Sequence, residues 1–447
     1  MWITAGIRQA LHNVAWLMLS KILAYVTTGL ASIVVARVLG PEKTGLIAWT
    51  MSVVIFADTI AFLGMDPILF KHFTRRPGGS LSLLRTALQW RFTLASLCYL
   101  LLGGYVWFSY AQGKTDHLLL LVGALQLFTH YGYLVSFWFH ARVQAAKVVR
   151  WEIPAALFSS GMRIAVVLMG YDVYSVVSVL IVSQLLESLG ITLALVRDSQ
   201  FRLQAARALR IKQMSHYTQW GRQRFTRNST LLLAHGWPFL FVSLTHFIYM
   251  RIDQVMLPAL NSRKETGFYA AAAILAEIPY QMSILITQSV LPGLLKLQRL
   301  NSDLYRTRMI QFFGLMIWPS LAITAALWFI GPGLIGLLFG PTYAPSSIMF
   351  QTLVLGLPFM FCNCMIGPWV LAHNLQRQYS LMLAIAALLN VLLNWFWIPI
   401  WGGVGAASAS VLAYMVIGLG CPMVYRSYRP ILQYIIRGLI LPLTVTK

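Results

Sequence analysis

The sequence predicts an all-α polytopic membrane protein, with about 12 transmembrane helices in two pseudo-symmetric six-helix bundles around a central cavity and a short C-terminal interfacial or partial span. Three observations predict it. Of the 447 residues 58% are hydrophobic and 10% charged, against roughly 25% charged in a soluble domain. Continuous apolar runs of about 20 residues, enough for a helix to cross a bilayer core, recur along the whole chain, whereas a β-barrel would show short alternating segments. Related motifs recur in the two halves of the chain.

The first apolar run, residues 14–36, is too long for a signal-peptide core and lacks a small-residue cleavage site, so it reads as a retained span. Eleven more follow at 46–66, 87–110, 118–139, 153–170, 175–196, 231–255, 268–291, 311–331, 347–372, 380–398 and 404–424. A weaker piece at 431–444 carries Arg437 and Pro442, and its length suits an interfacial position or a partial crossing. Cys98, Cys362, Cys364 and Cys421 lie in apolar stretches without CxxC spacing, which suits packing rather than disulfides or metal ligands.

A net charge of +22 would suggest nucleic acid in a soluble protein, but its distribution excludes that partner here. The basic residues concentrate in even-numbered connections, such as Lys71, Arg75, Arg76 and Arg85, or Lys296, Arg299, Arg306 and Arg308. The odd-numbered connections hold only Arg37, Lys43, Lys114, Arg263 and Lys264. The positive-inside rule then places both ends of the twelve-span core in the cytoplasm.

The longest connection, 197–230, interleaves Phe201, Ala205, Ala206 and Leu209 with Arg202, Arg207, Arg210 and Lys212. This is the pattern of a basic surface helix on the inner leaflet, or of a solvated linker obeying the charge rule. It separates an N-terminal bundle (1–196) from a C-terminal bundle (231–424), with a tail at 425–447. "LGPEKTGLIAW" (39–49) after the first span matches "LNSRKETGFYAA" (260–271) after the seventh, each with charged residues and then Thr-Gly. "ARVQAAKVVRWEIPAALFSS" (141–160) and "AHNLQRQYSLMLAIAALLNV" (372–391) likewise precede spans five and eleven. Copies six spans apart share one topology, as expected for halves related by an axis along the membrane normal.

Four stretches carry a family resemblance: "VARVLGPEKTGLIAW", "YMRIDQVMLPALNSRKETGFYAAAAILAEIPYQ" (249–281), "LLFGPTYAPS" (337–346) and "NVLLNWFWIPIWGGVGAASASVLAY" (390–414). In this order they resemble the Wzx-type polysaccharide (O-antigen) flippases of the multidrug, oligosaccharidyl-lipid and polysaccharide exporter superfamily. The resemblance implies a non-enzymatic flippase of the bacterial inner membrane that moves a polyprenyl-diphosphate-linked oligosaccharide by alternating access. It also implies contacts with membrane lipid, the glycan polymerase and the chain-length machinery.

Such a cargo needs a wet cavity with cationic groups. A cation within a span costs about 2.5–3.5 kcal/mol, so it should face the bundle interior or reach an interface. Lys21 suits a diphosphate or snorkels to the inner leaflet, and Arg91 sits where snorkelling is the default. Arg163 falls mid-span, with Glu187 as the obvious ion-pair alternative, while Arg37 borders a turn and reads as structural. Arg251 is the fourth diphosphate candidate. The acids Asp58, Asp253 and Glu277 are candidates for ion coupling, set against structural pairing with Arg251 or the polar backbone. Trp49, Trp90, Trp138, Trp318, Trp369 and Trp395 are available to sugars, although aromatic residues near span ends are ordinarily interfacial anchors. Asn390 and Asn394 share a face, suited to interhelical hydrogen bonding.

"GGVGAASAS" (402–410) opens an apolar helix and repeats small residues every four positions, which fits close helix packing better than a dinucleotide loop. No P-loop occurs, and no cofactor is expected. The competing readings are a small-molecule, multidrug-type cation-coupled antiporter, which an acidic cavity would suit better, and a membrane glycan polymerase or acyltransferase, which would want a large catalytic loop. His235 and His246 on span seven are candidates for a proton role, set against the commoner reading as satisfied polar residues.

Arg251 and Asp253 stand two residues apart in "FIYMRIDQVMLPAL". At about 100° per residue they project about 200° apart, so on a regular helix they cannot pair. Asp253 shares a stripe with His246 and Tyr249, which reads as a polar, cavity-facing side. Arg251 lies with Leu244, Phe247 and Gln254.

Overall fold

The computed structural model describes residues 2–75, 80–113, 115–212 and 217–440. Among them every regular element is a helix, as hydrocarbon demands, because a helix satisfies its backbone polar groups within one segment. Nine of these helices are long and apolar enough to cross a membrane, and the bent pair Ser346–Val354 and Leu357–His373 makes a tenth. Two of the nine, Ser20–Phe62 and Gln376–Val424, are each broken by a glycine, so the expected twelve spans are present. Gly40 (φ 78°, ψ 170°) breaks the first, and Gly402 (φ 55°, ψ −132°) the second. Both angles lie where a side chain is strained. Pro41 follows Gly40 without an N–H to leave unsatisfied.

The chain divides into two compact units, 1–35 with 50–244 and 36–49 with 245–447. The turn between the first two spans thus groups with the second unit, and the long connection and the start of span seven with the first. In the first unit an apolar cluster of Phe62, Leu69, Phe73, Leu134, Trp138 and Phe139 ties the ends of several helices together. The connection folds as the helix Ser199–Lys212, followed by an extension of the seventh-span helix, Tyr217–Leu260. Asp198 starts the first of these by accepting from the N–H groups of Gln200 (3.1 Å) and Phe201 (3.2 Å), and it pairs with Lys147 at 2.8 Å. Phe201 then meets Trp138 edge to face, 5.7 Å between ring centroids. The side chains of Ala205, Arg207, Leu209, Arg210 and Lys212, and the residues Arg76 and Lys114, lie outside the described ones.

In the second unit the repeated Thr-Gly motifs meet each other. A Cβ added to Gly45 would lie 1.9 Å from the Arg263 carbonyl oxygen, and one added to Gly267 would lie 1.8 Å from that of Pro41. Each glycine therefore admits the backbone of the other copy of the motif. Hydrogen bonds fasten the same turn: Tyr343 Oη donates to the Ala36 carbonyl (2.8 Å) and lies 3.0 Å from Thr44 Oγ1, and Arg37 donates to the Leu337 carbonyl (3.1 Å). Arg37 thus has a backbone partner beside the turn. The weaker apolar segment forms the helix Arg429–Ile440, which buries Ile431, Tyr434, Ile435 and Gly438 against the helix Ser302–Phe339. Twelve residues rise only about 18 Å, short of a roughly 30 Å hydrocarbon core. Residues 441–444, Pro442 included, lie outside the described ones.

Two outcomes follow from these contacts. Gly45→Ala and Gly267→Ala should each destabilise the purified protein by about 1–3 kcal/mol, the ordinary cost of overpacking. Gly333→Ala, where an added Cβ meets nothing within 4 Å, should not lower the detergent-phase melting temperature, because alanine is the better helix former. At Asp198 burial opposes ionisation, but hydrogen bonds from Lys147 and the Phe201 N–H, with the Lys147 charge, outweigh it and hold the carboxyl below its ordinary value. A depressed carboxylate stabilises fully above the unfolded value of about 3.9, and that contribution is lost as pH falls through the folded value. Asp198→Ala should therefore cost about 0.5–2 kcal/mol at neutral pH. In melting curves against pH, the gap to wild type should close below about pH 4.

Candidate functional site

The helix Tyr217–Leu260 carries Arg251 and Asp253 on different faces, as the helical period requires, and each face has its own partners. Arg251 donates to Glu277 on the helix Arg263–Leu300 at 2.8 Å, both side chains being part exposed. Asp253 is 2% exposed and turns into its own unit. There it accepts from the Tyr269 hydroxyl, from Ser410 Oγ at 3.1 Å and from the Gln254 N–H at 2.7 Å. Asn390 Nδ2 reaches Ser410 Oγ at 3.4 Å, and Asn394 Nδ2 donates to Asn390 Oδ1 at 3.0 Å. The two asparagines do share a face, and they extend the Asp253 network along the helix Gln376–Met415.

The groups that hydrogen-bond Asp253 are all neutral. Among the described residues no cation lies within salt-bridge distance of it, and the Tyr249 hydroxyl and Asn394 Oδ1 are buried without a hydrogen-bond partner. A cavity of about 20 Å³ bordered by Gln254, Tyr269, Glu277 and Tyr414 adjoins this network, room for about one water. A single buried carboxylate held by hydroxyl and N–H donors, with no cation paired to it, is a group whose charge can be exchanged by taking up one proton. Small residues bring the elements this close. Gly402, Gly403, Ala406 and Ser410 are buried, and the Gly403 N–H, exposed by the helix break, donates to Glu265 Oε2 at 2.8 Å. His246 lies with its ring centroid 6.1 Å from that of Tyr249 but is itself exposed. His235 is exposed as well, and its Nδ1 lies 3.1 Å from the carbonyl of Leu231 on its own helix.

In the first unit Arg91 departs from the snorkelling expected of it. It is completely buried, pairs with the Asp58 carboxylate, donates to the carbonyls of Asp58 (3.3 Å) and Leu127 (2.7 Å), and lies 4.1 Å over the Phe62 ring. The reason is a broken helix: the segment Leu118–His140 is interrupted near residues 125 and 130–131, which frees the Leu127 carbonyl. Asp58 also holds His130, with Nδ1 2.8 Å from Oδ2. Sequence reasoning passed over His130, although it is a polar residue in an otherwise apolar span. Tyr269 was likewise not singled out, and Ser410 reads in the sequence as a small packing residue of the 402–410 repeat, not as a polar partner.

Arg163 has no such partner. It is 5% exposed, reaches Ser32 Oγ (3.4 Å) and the Ser159 carbonyl (3.3 Å), and leaves Nη2 without an acceptor. The Glu187 pair suggested by sequence is not formed: the hydrogen bonds of Arg163 go to Ser32 and Ser159 instead. Lys21 is exposed. Of the four basic candidates, Arg91 and Arg251 are thus committed to carboxylates. Among the described residues Arg163 and Lys21 have no carboxylate within salt-bridge distance. Of the acids, Asp58 and Glu277 are paired and Asp253 is not. Among the tryptophans, Trp49, Trp138 and Trp369 are buried, whereas Trp318 and Trp395 are exposed.

A family model described as "Polysaccharide biosynthesis protein" matches residues 10–298. A search of curated proteins found no match. Among solved structures, the chain is similar to an inward-facing multidrug resistance MATE family transporter of the MOP superfamily, with TM-score 0.66, 15% identity and coverage of 94% of this chain and 96% of that one. It is also similar to lipid II flippase MurJ in an inward closed conformation (TM-score 0.63, 13% identity, 95% and 90% covered). A mutant of the MATE transporter VcmN of Vibrio cholerae matches with TM-score 0.60, 10% identity and 98% and 99% covered. These likenesses establish the fold.

Removing one member of the buried Asp58–Arg91 pair strands the other. Arg91→Gln should destabilise the protein by roughly 3–5 kcal/mol, and the double variant Asp58→Asn, Arg91→Gln by less than the single one. A double-mutant cycle on detergent melting measures this, and additive effects would contradict the pairing.

Proposed function

Because the chain belongs to the polysaccharide biosynthesis protein family, we propose that it is a flippase carrying a polyprenyl-diphosphate-linked oligosaccharide, for O-antigen or a related surface polysaccharide, across the bacterial inner membrane. The protein is a multi-pass membrane transporter of the MOP type in fold. On this reading it transports without catalysing a reaction, its N-terminus lies in the cytoplasm, and the glycan polymerase and chain-length machinery are its partners.

The observation that carries the reading is Arg163. A guanidinium buried in a span without a carboxylate is costly, and an anionic cargo with several phosphate oxygens supplies what the protein withholds. Lys21, exposed on the first span, is the second cation free to meet it. A drug antiporter for cations would be poorly served by an unneutralised arginine. That a lipid II flippase shares the fold supports a lipid-linked cargo.

Coupling to an ion gradient is assigned to Asp253. Its neutral hydrogen-bond partners let it exchange a proton without breaking an ion pair, whereas Glu277 and Asp58 would first have to release Arg251 and Arg91.

Deleting the gene should cause polyprenyl-diphosphate-linked repeat units to accumulate on the cytoplasmic face, and normal export of every surface glycan would sink the reading. In complementation at equal protein level, Arg163→Gln should lower export roughly tenfold or more, the scale of one lost charged hydrogen bond, with Arg163→Lys partly restoring it. Asp253→Asn should abolish gradient-driven flipping in vesicles. Drug resistance conferred by overexpression would favour the antiporter instead.

A further inference from the structure

The first unit contains a groove of about 760 Å³ that the transport reading does not use. One wall is the face of the helix Ser80–Ala111 carrying Leu84, Leu88 and Phe92, and the other is formed by residues such as Val135 and Leu195, with Phe201 of the connecting helix also lining it. Its residues on that first helix run from 81 to 93, a rise of roughly 18 Å, close to half of a roughly 30 Å hydrocarbon core. The groove is therefore as long as one leaflet is deep. An apolar cleft of this size suits a hydrocarbon chain and is poor ground for water.

Charge identifies the head group. Arg85 lines the groove, is exposed, and among the described residues has no carboxylate within salt-bridge distance. The lining includes no acid. Arg197, Arg202 and Arg227, all exposed, lie within two residues of the lining positions Val196, Phe201 and Phe225. The acid next to them in sequence, Asp198, is engaged by Lys147 and two backbone N–H groups. An apolar groove between membrane helices, lined by one arginine and no acid, fits an anionic lipid.

We propose that this groove is a binding site for an anionic glycerophospholipid, with one acyl chain along Leu84, Leu88 and Phe92 and the phosphate at Arg85. Occupancy braces Phe201 and, through it, the connecting helix. The site is separate from the transport reading, and its test reads lipid binding rather than export.

The full chain, purified in detergent and exchanged into phosphatidylcholine nanodiscs, is titrated with phosphatidylglycerol and followed by native mass spectrometry and thermal melting. Wild type should retain one phosphatidylglycerol with roughly tenfold or greater preference over phosphatidylcholine, the scale of one charged contact, and should melt higher when it is bound. Leu88→Trp, which fills the groove, should lose the retained lipid. Arg85→Glu, an exposed change that keeps the fold intact even if Leu88→Trp does not, should lose the preference for the anionic head group. Undiminished preference in Arg85→Glu, no preference in wild type, or a polyprenyl-linked species instead of phospholipid in the groove would each overturn the proposal.

Discussion

Hydrocarbon offers no water to complete a hydrogen bond or solvate a charge, and nearly every feature of this protein answers to that constraint. It demands helices, and it makes any interruption expensive unless something satisfies the freed groups. At Gly402 the exposed Gly403 N–H is met by Glu265. Near residues 125–131 the freed Leu127 carbonyl is met by Arg91. At Gly40 the following residue is a proline, with no N–H to satisfy. At two of these three breaks a charged side chain meets the freed backbone group, each paying part of the other's cost.

The same constraint divides the labour between the units. The first holds a buried cation without a carboxylate, Arg163, beside a fully committed pair, Asp58 and Arg91. The second holds a buried carboxylate with neutral hydrogen-bond partners, Asp253, beside a committed pair, Arg251 and Glu277. A committed pair holds helices in register, whereas an uncommitted charge is poised to bind something else. Anionic cargo suits the first kind of free charge, and a proton suits the second.

Much of this was legible in one chain. The twelve spans, the weak last segment and the separation of Arg251 from Asp253 follow from hydropathy and the helical period. The two Thr-Gly motifs were visible as a repeat, but their collision, Gly45 on Arg263 and Gly267 on Pro41, was not, because a repeat states resemblance and says nothing of contact. Arg91 was misread for a similar reason. Its position near a span end argued for snorkelling, while its acceptors were a carboxylate on another helix and a carbonyl released by a break that hydropathy does not register. Glu187 looked like the partner of Arg163 because it was the acid at hand on an adjacent span; sequence proximity of spans carries no information about which way side chains turn.

The sequence by itself determined that this is a polytopic helical membrane protein with a duplicated plan, which charges lie inside spans, and which of them cannot share a helix face. These are one-dimensional properties, set by composition and by a fixed rise and turn per residue. Only the tertiary structure decided which charges are neutralised and which are not. That depends on a few ångströms between side chains on different helices, and on where those helices break.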